Sequence, residues 1–238
     1  MHQSTTRPVS ARWDHLGSLA GADQGPPTGA SRTRIRVTVL DSVSITPPGS
    51  APVAIGSLQQ KLLLTLLVAY GDRSVGVDRI AEELWGEVRP RRWLASVRTL
   101  ANSLRRFAGD RDFICWTGRG YRLHRDTTMV VSDVDDMLRL ADGARMALAA
   151  GHYDEAVTRS KRALAEYGNG PWTTDYWHWA DVAAECYHIL GRALLGSHRY
   201  VNCLVELGRA PEEIEWHEGV RHCLENARAT VSAPAMAM

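Results

Sequence analysis

The clearest chemistry in this 238-residue chain lies in one short stretch, Arg91 to Gly109, RRWLASVRTLANSLRRFAG. At about 3.6 residues per turn, Arg98, Thr99, Asn102, Arg105 and Arg106 share one helical face, with Ala95 as a small filler. That face carries three guanidinium groups, an amide and a hydroxyl, and no acid. An arginine fork donates two hydrogen bonds to guanine O6 and N7, and an asparagine amide pairs with adenine N6 and N7. A merely solvated charged face is the alternative, but such faces usually interleave acids one turn away from their bases. The residue types therefore predict a DNA recognition helix, stopped by Gly109.

Such a helix needs a core to hold it. Trp93, Val97, Leu100, Leu104 and Phe107 follow the alternating three- and four-residue spacing of a buried stripe on the opposite side. Upstream, alternation at Ile35, Val37, Val39 and then Val43, Ile45, with a TPPGS turn and a short run from Pro52 to Ile55, predicts a small antiparallel sheet. SLQQ then opens a helix, with Ser57 and Gln60 as a capping-box pair, and LLLTLLVAY continues it to Gly71. VGVDRIAEELWG is a second helix, with Gly76 near its N-cap, Asp78 in its first turn and Gly86 at its end. In the VRPRR link, Arg89, Arg91 and Arg92 are placed to meet backbone phosphate beside the recognition helix N-terminus.

After Gly109, DFICWTGRGYRLH reads as strand, tight turn, strand: a hairpin wing. Gly118 and Gly120 allow positive φ in the turn and leave Arg119 at its tip, where an arginine suits a minor groove. In this reading Arg98, Thr99, Asn102 and Arg105 meet base edges or nearby phosphate. Arg106, Arg92 and Arg119 hold the sugar-phosphate backbone or minor groove, and Lys61, near the start of the first helix, is a further phosphate contact.

The charge distribution agrees. Residues 1–125 hold 18 basic and 10 acidic side chains, whereas residues 126–238 hold 10 and 17. A basic half joined to an acidic one suggests a polyanion-binding domain coupled to a second job. Residues 1–32, rich in Ser, Thr, Gly and Pro, read as a disordered tail, and 230–238 as a disordered C-terminus. No secretory leader and no apolar run long enough to span a membrane is legible, so a cytoplasmic, nucleoid-associated protein with free thiols is expected. Cys186, His188, His217, His222 and Cys223 invite a metal site, but only His217 and His222 lie at ligand-pair spacing, so none is assigned. Trp172, Tyr176, Trp177 and Trp179 form an aromatic cluster better read as a packed corner than as a ligand pocket. No phosphate-loop, dinucleotide, esterase or zinc-protease motif occurs, so neither an enzyme nor a cofactor is expected.

In the acidic half, ARMALAAGHYDEAVTRSKRAL has the small-residue pattern of a tetratricopeptide helical hairpin, and a second helix pair runs from Trp179 to Gly208. With LLLTLLVAYGDRSVGVDRIAEELWGE, LRRFAGD and GRGYRL, the chain resembles the Streptomyces antibiotic regulatory protein family from about Arg34 to Arg209. That resemblance implies an α+β OmpR-type winged helix-turn-helix at 33–125. It implies an all-α, tetratricopeptide-like bacterial transcriptional activator domain at 132–229, with no receiver domain in front. The implied role is activation of an antibiotic or other secondary-metabolite gene cluster. The implied partners are double-stranded DNA at promoter direct repeats, RNA polymerase holoenzyme and a second copy of the chain on DNA, with no membrane. The family continues through further helices, so the activator domain reads as shortened after Arg209. The competing readings are an interaction adaptor with a vestigial winged helix and a ligand-gated repressor.

Overall fold

Strict alternation at Ile35, Val37 and Ile45 buries one face of a sheet built from β1 (Ile35–Thr38), β2 (Ser44–Thr46) and β3 (Val53–Ala54). The computed structural model describes residues 34–124, 130–168, 177–215 and 217–232. The tail at 1–32, the junction at 125–129, Trp172, Tyr176 and the segment 233–238 lie outside the described residues.

Three helices fill the space after this sheet. In α1 (Leu58–Tyr70), Leu63 to Val68 are buried without interruption, as befits a helix packed on all sides. The expected capping box does not form. Ser57 donates to Gln59 Oε1 at 3.4 Å, while Gln60 donates through Nε2 to Ser103 Oγ at 2.9 Å. A buried hydroxyl on the neighbouring helix is the partner that Gln60 satisfies, because Ser103 has little access to water. β4 (Val75–Gly76) leads into α2 (Val77–Trp85), and α3 (Trp93–Ala108) follows. A second sheet, in the order β4-β6-β5, joins β4 to the hairpin of β5 (Ile114–Trp116) and β6 (Gly120–Leu123).

The first sheet is not purely antiparallel. β7 (Val130–Ser132) lies parallel to β1, with Ile35 opposite Val130, giving the order β3-β2-β1-β7. Parallel neighbours require a long crossover, and the whole run from α1 to the hairpin provides it. A sheet therefore crosses the boundary expected between 125 and 132, and the described residues belong to one compact unit. β7 runs straight into α4 (Asp133–Ala149), whose N-cap Ser132 makes a capping box with Asp135. The buried carboxylate of Asp133 accepts from the amides of Val39 at 2.8 Å and Leu40 at 2.9 Å through Oδ2, and from Val134 at 2.9 Å through Oδ1. Burial outweighs these three donors and pushes the Asp133 carboxyl up to about 6. Arg36 adds ion pairs to Asp136 at 3.0 Å and to Glu166 at 3.2 Å.

The acidic half is helical: α5 (Tyr153–Tyr167), α6 (Trp177–Gly196), α7 (Tyr200–Leu207), α8 (Glu212–Glu215) and α9 (Glu218–Ser232). Ala144, Ala147 and Ala156 let α4 and α5 close on Ile189 and Ala193 of α6. Helical structure continues after Arg209. α9 buries Val220, Cys223 and Ala227 at helical spacing, and it runs to Ser232, three residues into the expected C-terminal tail.

Candidate nucleic-acid interface

The presentation of α3 depends on which of its faces the core takes. Val97, Ala101, Leu104 and Ala108 are fully buried, while Trp93, Leu100 and Phe107 are only half-buried. Small alanines sit at the centre of the buried face, so the helix packs closely and the bulky residues flank the contact. Gly109 terminates the helix in the left-handed region (φ 68°), its amide donating to the carbonyls of Arg105 and Arg106. At the other end Arg91 and Arg92 are exposed, and Arg89 lies over the Trp93 ring at 5.6 Å while pairing with Asp78 at 3.6 Å.

Arg98, Thr99, Asn102 and Arg106 are exposed together along the outer face of α3. Among the described residues neither Arg98 nor Arg106 has an ion-pair or hydrogen-bond partner for its guanidinium, and the helix carries no acid. Thr99 donates its hydroxyl to the Ala95 carbonyl at 3.0 Å, which leaves its oxygen free to accept.

Arg105 does not present a free fork. It donates to the Ile114 carbonyl through Nε at 2.9 Å and Nη2 at 2.6 Å, and to Asn102 Oδ1 through Nη1 at 2.7 Å. Its side chain turns towards β5 because a strand carbonyl there can be reached by two parallel donors. Arg105 thus positions the hairpin and holds the Asn102 amide by its oxygen, and Asn102 itself is exposed. Lys61 is half-buried in the first turn of α1 and already engaged within the protein.

The hairpin places Arg119 at its exposed tip. Only one of its two glycines needs positive φ: Gly118 sits at 89°. Gly120 serves another purpose, since a Cβ there would stand 2.0 Å from the Val75 carbonyl oxygen. Val77 donates its amide to the Arg119 carbonyl at 3.2 Å, and the Ser74 and Thr117 hydroxyls meet at 2.6 Å, so the tip is held against the start of α2. Arg111 follows the helix stop, so the helical periodicity does not point to it. It joins Asn102, Arg106, Gly109 and Asp110 around an open depression of about 430 Å³ at the C-terminal end of α3.

Other groupings fare differently. Cys186, Cys203 and Cys223 are buried and Cys115 is half-buried, all as free thiols, and burial pushes Cys186 up to about 12. Among the described residues no group of three or more His, Cys, Asp or Glu could hold a metal ion. No described helix is long and apolar enough to cross a membrane.

No family model matches the chain. It is 32% identical over 139 residues to the regulatory protein AfsR of Streptomyces griseus, covering 58% of this chain and 14% of AfsR. It is 30% identical over 144 residues to the transcriptional regulatory protein EmbR of Mycobacterium tuberculosis, covering 58% of this chain and 36% of EmbR. A solved structure of Mycobacterium tuberculosis EmbR in complex with a low affinity phosphopeptide superposes with a TM-score of 0.70 at 25% identity, over 84% of this chain and 55% of that one. The chain thus spans well under half the length of the regulators it matches in sequence. In sequence and in fold the chain is similar to AfsR, a regulatory protein, and EmbR, a transcriptional regulatory protein.

Proposed function

We propose that the chain is a sequence-specific DNA-binding transcriptional regulator, with residues 33–125 acting as a winged helix-turn-helix and 132–229 as a tetratricopeptide-like activator region. The observation that carries this reading is the acid-free outer face of α3, where Arg98, Thr99, Asn102 and Arg106 stand exposed. α3 enters the major groove, with Arg98, Asn102 and Thr99 at base edges. Arg92, Arg106 and Arg111 neutralise phosphates, and Arg119 reaches the flanking minor groove. Lys61 makes at most a peripheral phosphate contact, and Arg105 acts through Asn102 and the hairpin rather than on a base. The kinship with AfsR and EmbR supports a regulatory role in the cytoplasm, on the nucleoid. In this role the protein binds promoter direct repeats as a pair of copies, contacts RNA polymerase and activates a secondary-metabolite cluster.

Binding of the purified protein across genomic DNA fragments, at about 50 and 200 mM salt, tests the reading. Enriched fragments sharing a spaced direct repeat are expected, and Arg98→Ala should weaken the enrichment and relax the repeat at one base pair. Uniform, sequence-blind binding that vanishes at the higher salt overturns it.

A further inference from the structure

A basic concavity lies between two helices of the acidic half. Arg192 and His188 on α6 and His222 and Asn226 on α9 surround a depression of about 300 Å³, floored by Leu195 and Cys223. Two close approaches hold its walls together. A Cβ on Gly219 would stand 2.7 Å from the His188 ring, and one on Gly191 would stand 2.9 Å from Cys223 Cβ and Leu207 Cδ1. α6 and α9 therefore meet at fixed separation, and the donors around the depression are set by backbone packing rather than by loop conformation.

Among the described residues Arg192 has no acid partner, although residues 126–238 carry 17 acids against 10 bases. The groups facing His188 are Arg192 and Glu185 on its own helix, and His217 and His222 from the α9 side. Glu185 is held by Arg145, its Oε1 accepting from Nε at 2.8 Å. The His217 ring lies 6.3 Å from that of His188, and its buried Nδ1 makes no hydrogen bond among the described residues. Burial, followed by the Arg192 charge, lowers the His188 pKa, so the unliganded site resists adding a further positive charge.

We propose that this concavity binds a small molecule bearing one phosphate or carboxylate group, its anion held by Arg192, His188 and His222 and its apolar body lying on Leu195. A bound anion offsets the Arg192 charge and so favours imidazolium at His188, and affinity rises as pH falls.

The test follows histidine ring resonances of the whole chain by NMR at about pH 6.5, near the ordinary histidine pKa. The probes are inorganic phosphate, phenyl phosphate and benzoate. Saturable shifts confined to His188, His217 and His222 are expected, with phenyl phosphate tighter than inorganic phosphate. Phenyl phosphate stronger than benzoate assigns a phosphate ligand, and the reverse assigns a carboxylate. Arg192→Gln, at an exposed position, should weaken binding about tenfold or more, and His222→Gln supplies an independent loss. Equal shifts at all nine histidines that follow ionic strength, or unchanged affinity in both variants, overturn the proposal.

Discussion

Arg105 grips the Ile114 carbonyl with two donors, at 2.9 and 2.6 Å, and so couples the position of the hairpin to the helix proposed to face DNA. Removing that fork leaves a strand carbonyl without its charged partner. Arg105→Ala should cost about 1.5–3 kcal/mol in urea unfolding, and Arg105→Lys should restore only part, since one ammonium cannot supply the parallel pair. An unchanged denaturation midpoint in Arg105→Ala would show that the contact is not a structural one.

Arg98→Ala should do the opposite. Its guanidinium has no partner among the described residues, so the unfolding midpoint is expected to stay within about 0.5 kcal/mol. Operator affinity should fall by about 1–3 kcal/mol, with discrimination relaxed at one base pair. Comparable loss on every sequence would move Arg98 from base reading to phosphate contact.

Arg119→Ala addresses the wing tip. Losing one groove or phosphate contact should flatten the slope of log affinity against log salt by about one unit while leaving the preferred sequence intact. A slope equal to that of the parent protein would place the tip away from DNA.

Gly120→Ala should disrupt the small second sheet, because the added Cβ has no room beside the Val75 carbonyl. A loss of about 1–3 kcal/mol is expected, together with faster hydrogen exchange at the Val77 amide, which the Arg119 carbonyl protects. Gly118→Ala meets no neighbour and should cost only the strain of its positive φ, about 1 kcal/mol. Equal effects of the two substitutions would contradict the close approach.

Asp133 makes a pH prediction of defined sign. Its carboxyl rises from an ordinary 3.8 to about 6 on folding, so between those values the folded chain holds more protons than the unfolded one. The group's contribution to stability is therefore greatest below about pH 4 and falls by roughly 3 kcal/mol as pH rises to 6, then levels. Asp133→Asn loses one acceptor for the Val39, Leu40 and Val134 amides, and the difference between its stability and the parent's should vary with pH only across that window. A constant difference from pH 4 to 7 would argue for a carboxyl of ordinary acidity.

What the sequence alone determined is local. The two faces of α3, the stop at Gly109, the hairpin with Arg119 at its tip and the helical pairing of the acidic half all follow from periodicity and turn chemistry over a few residues. These survive folding because a helix carries its period wherever it packs. What only the tertiary structure decided involves partners far apart in the chain. Gln60 abandons its cap for Ser103, and Gly120 is demanded by Val75. β7 lies beside β1 although more than ninety residues separate them, and Asp133 accepts from Val39 and Leu40 across that join. Arg105 is the sharpest case: its place on α3 matches that of the exposed polar residues, but a carbonyl on β5 offers two charge-assisted bonds close at hand, and no spacing along one helix can reveal an acceptor brought in by another strand.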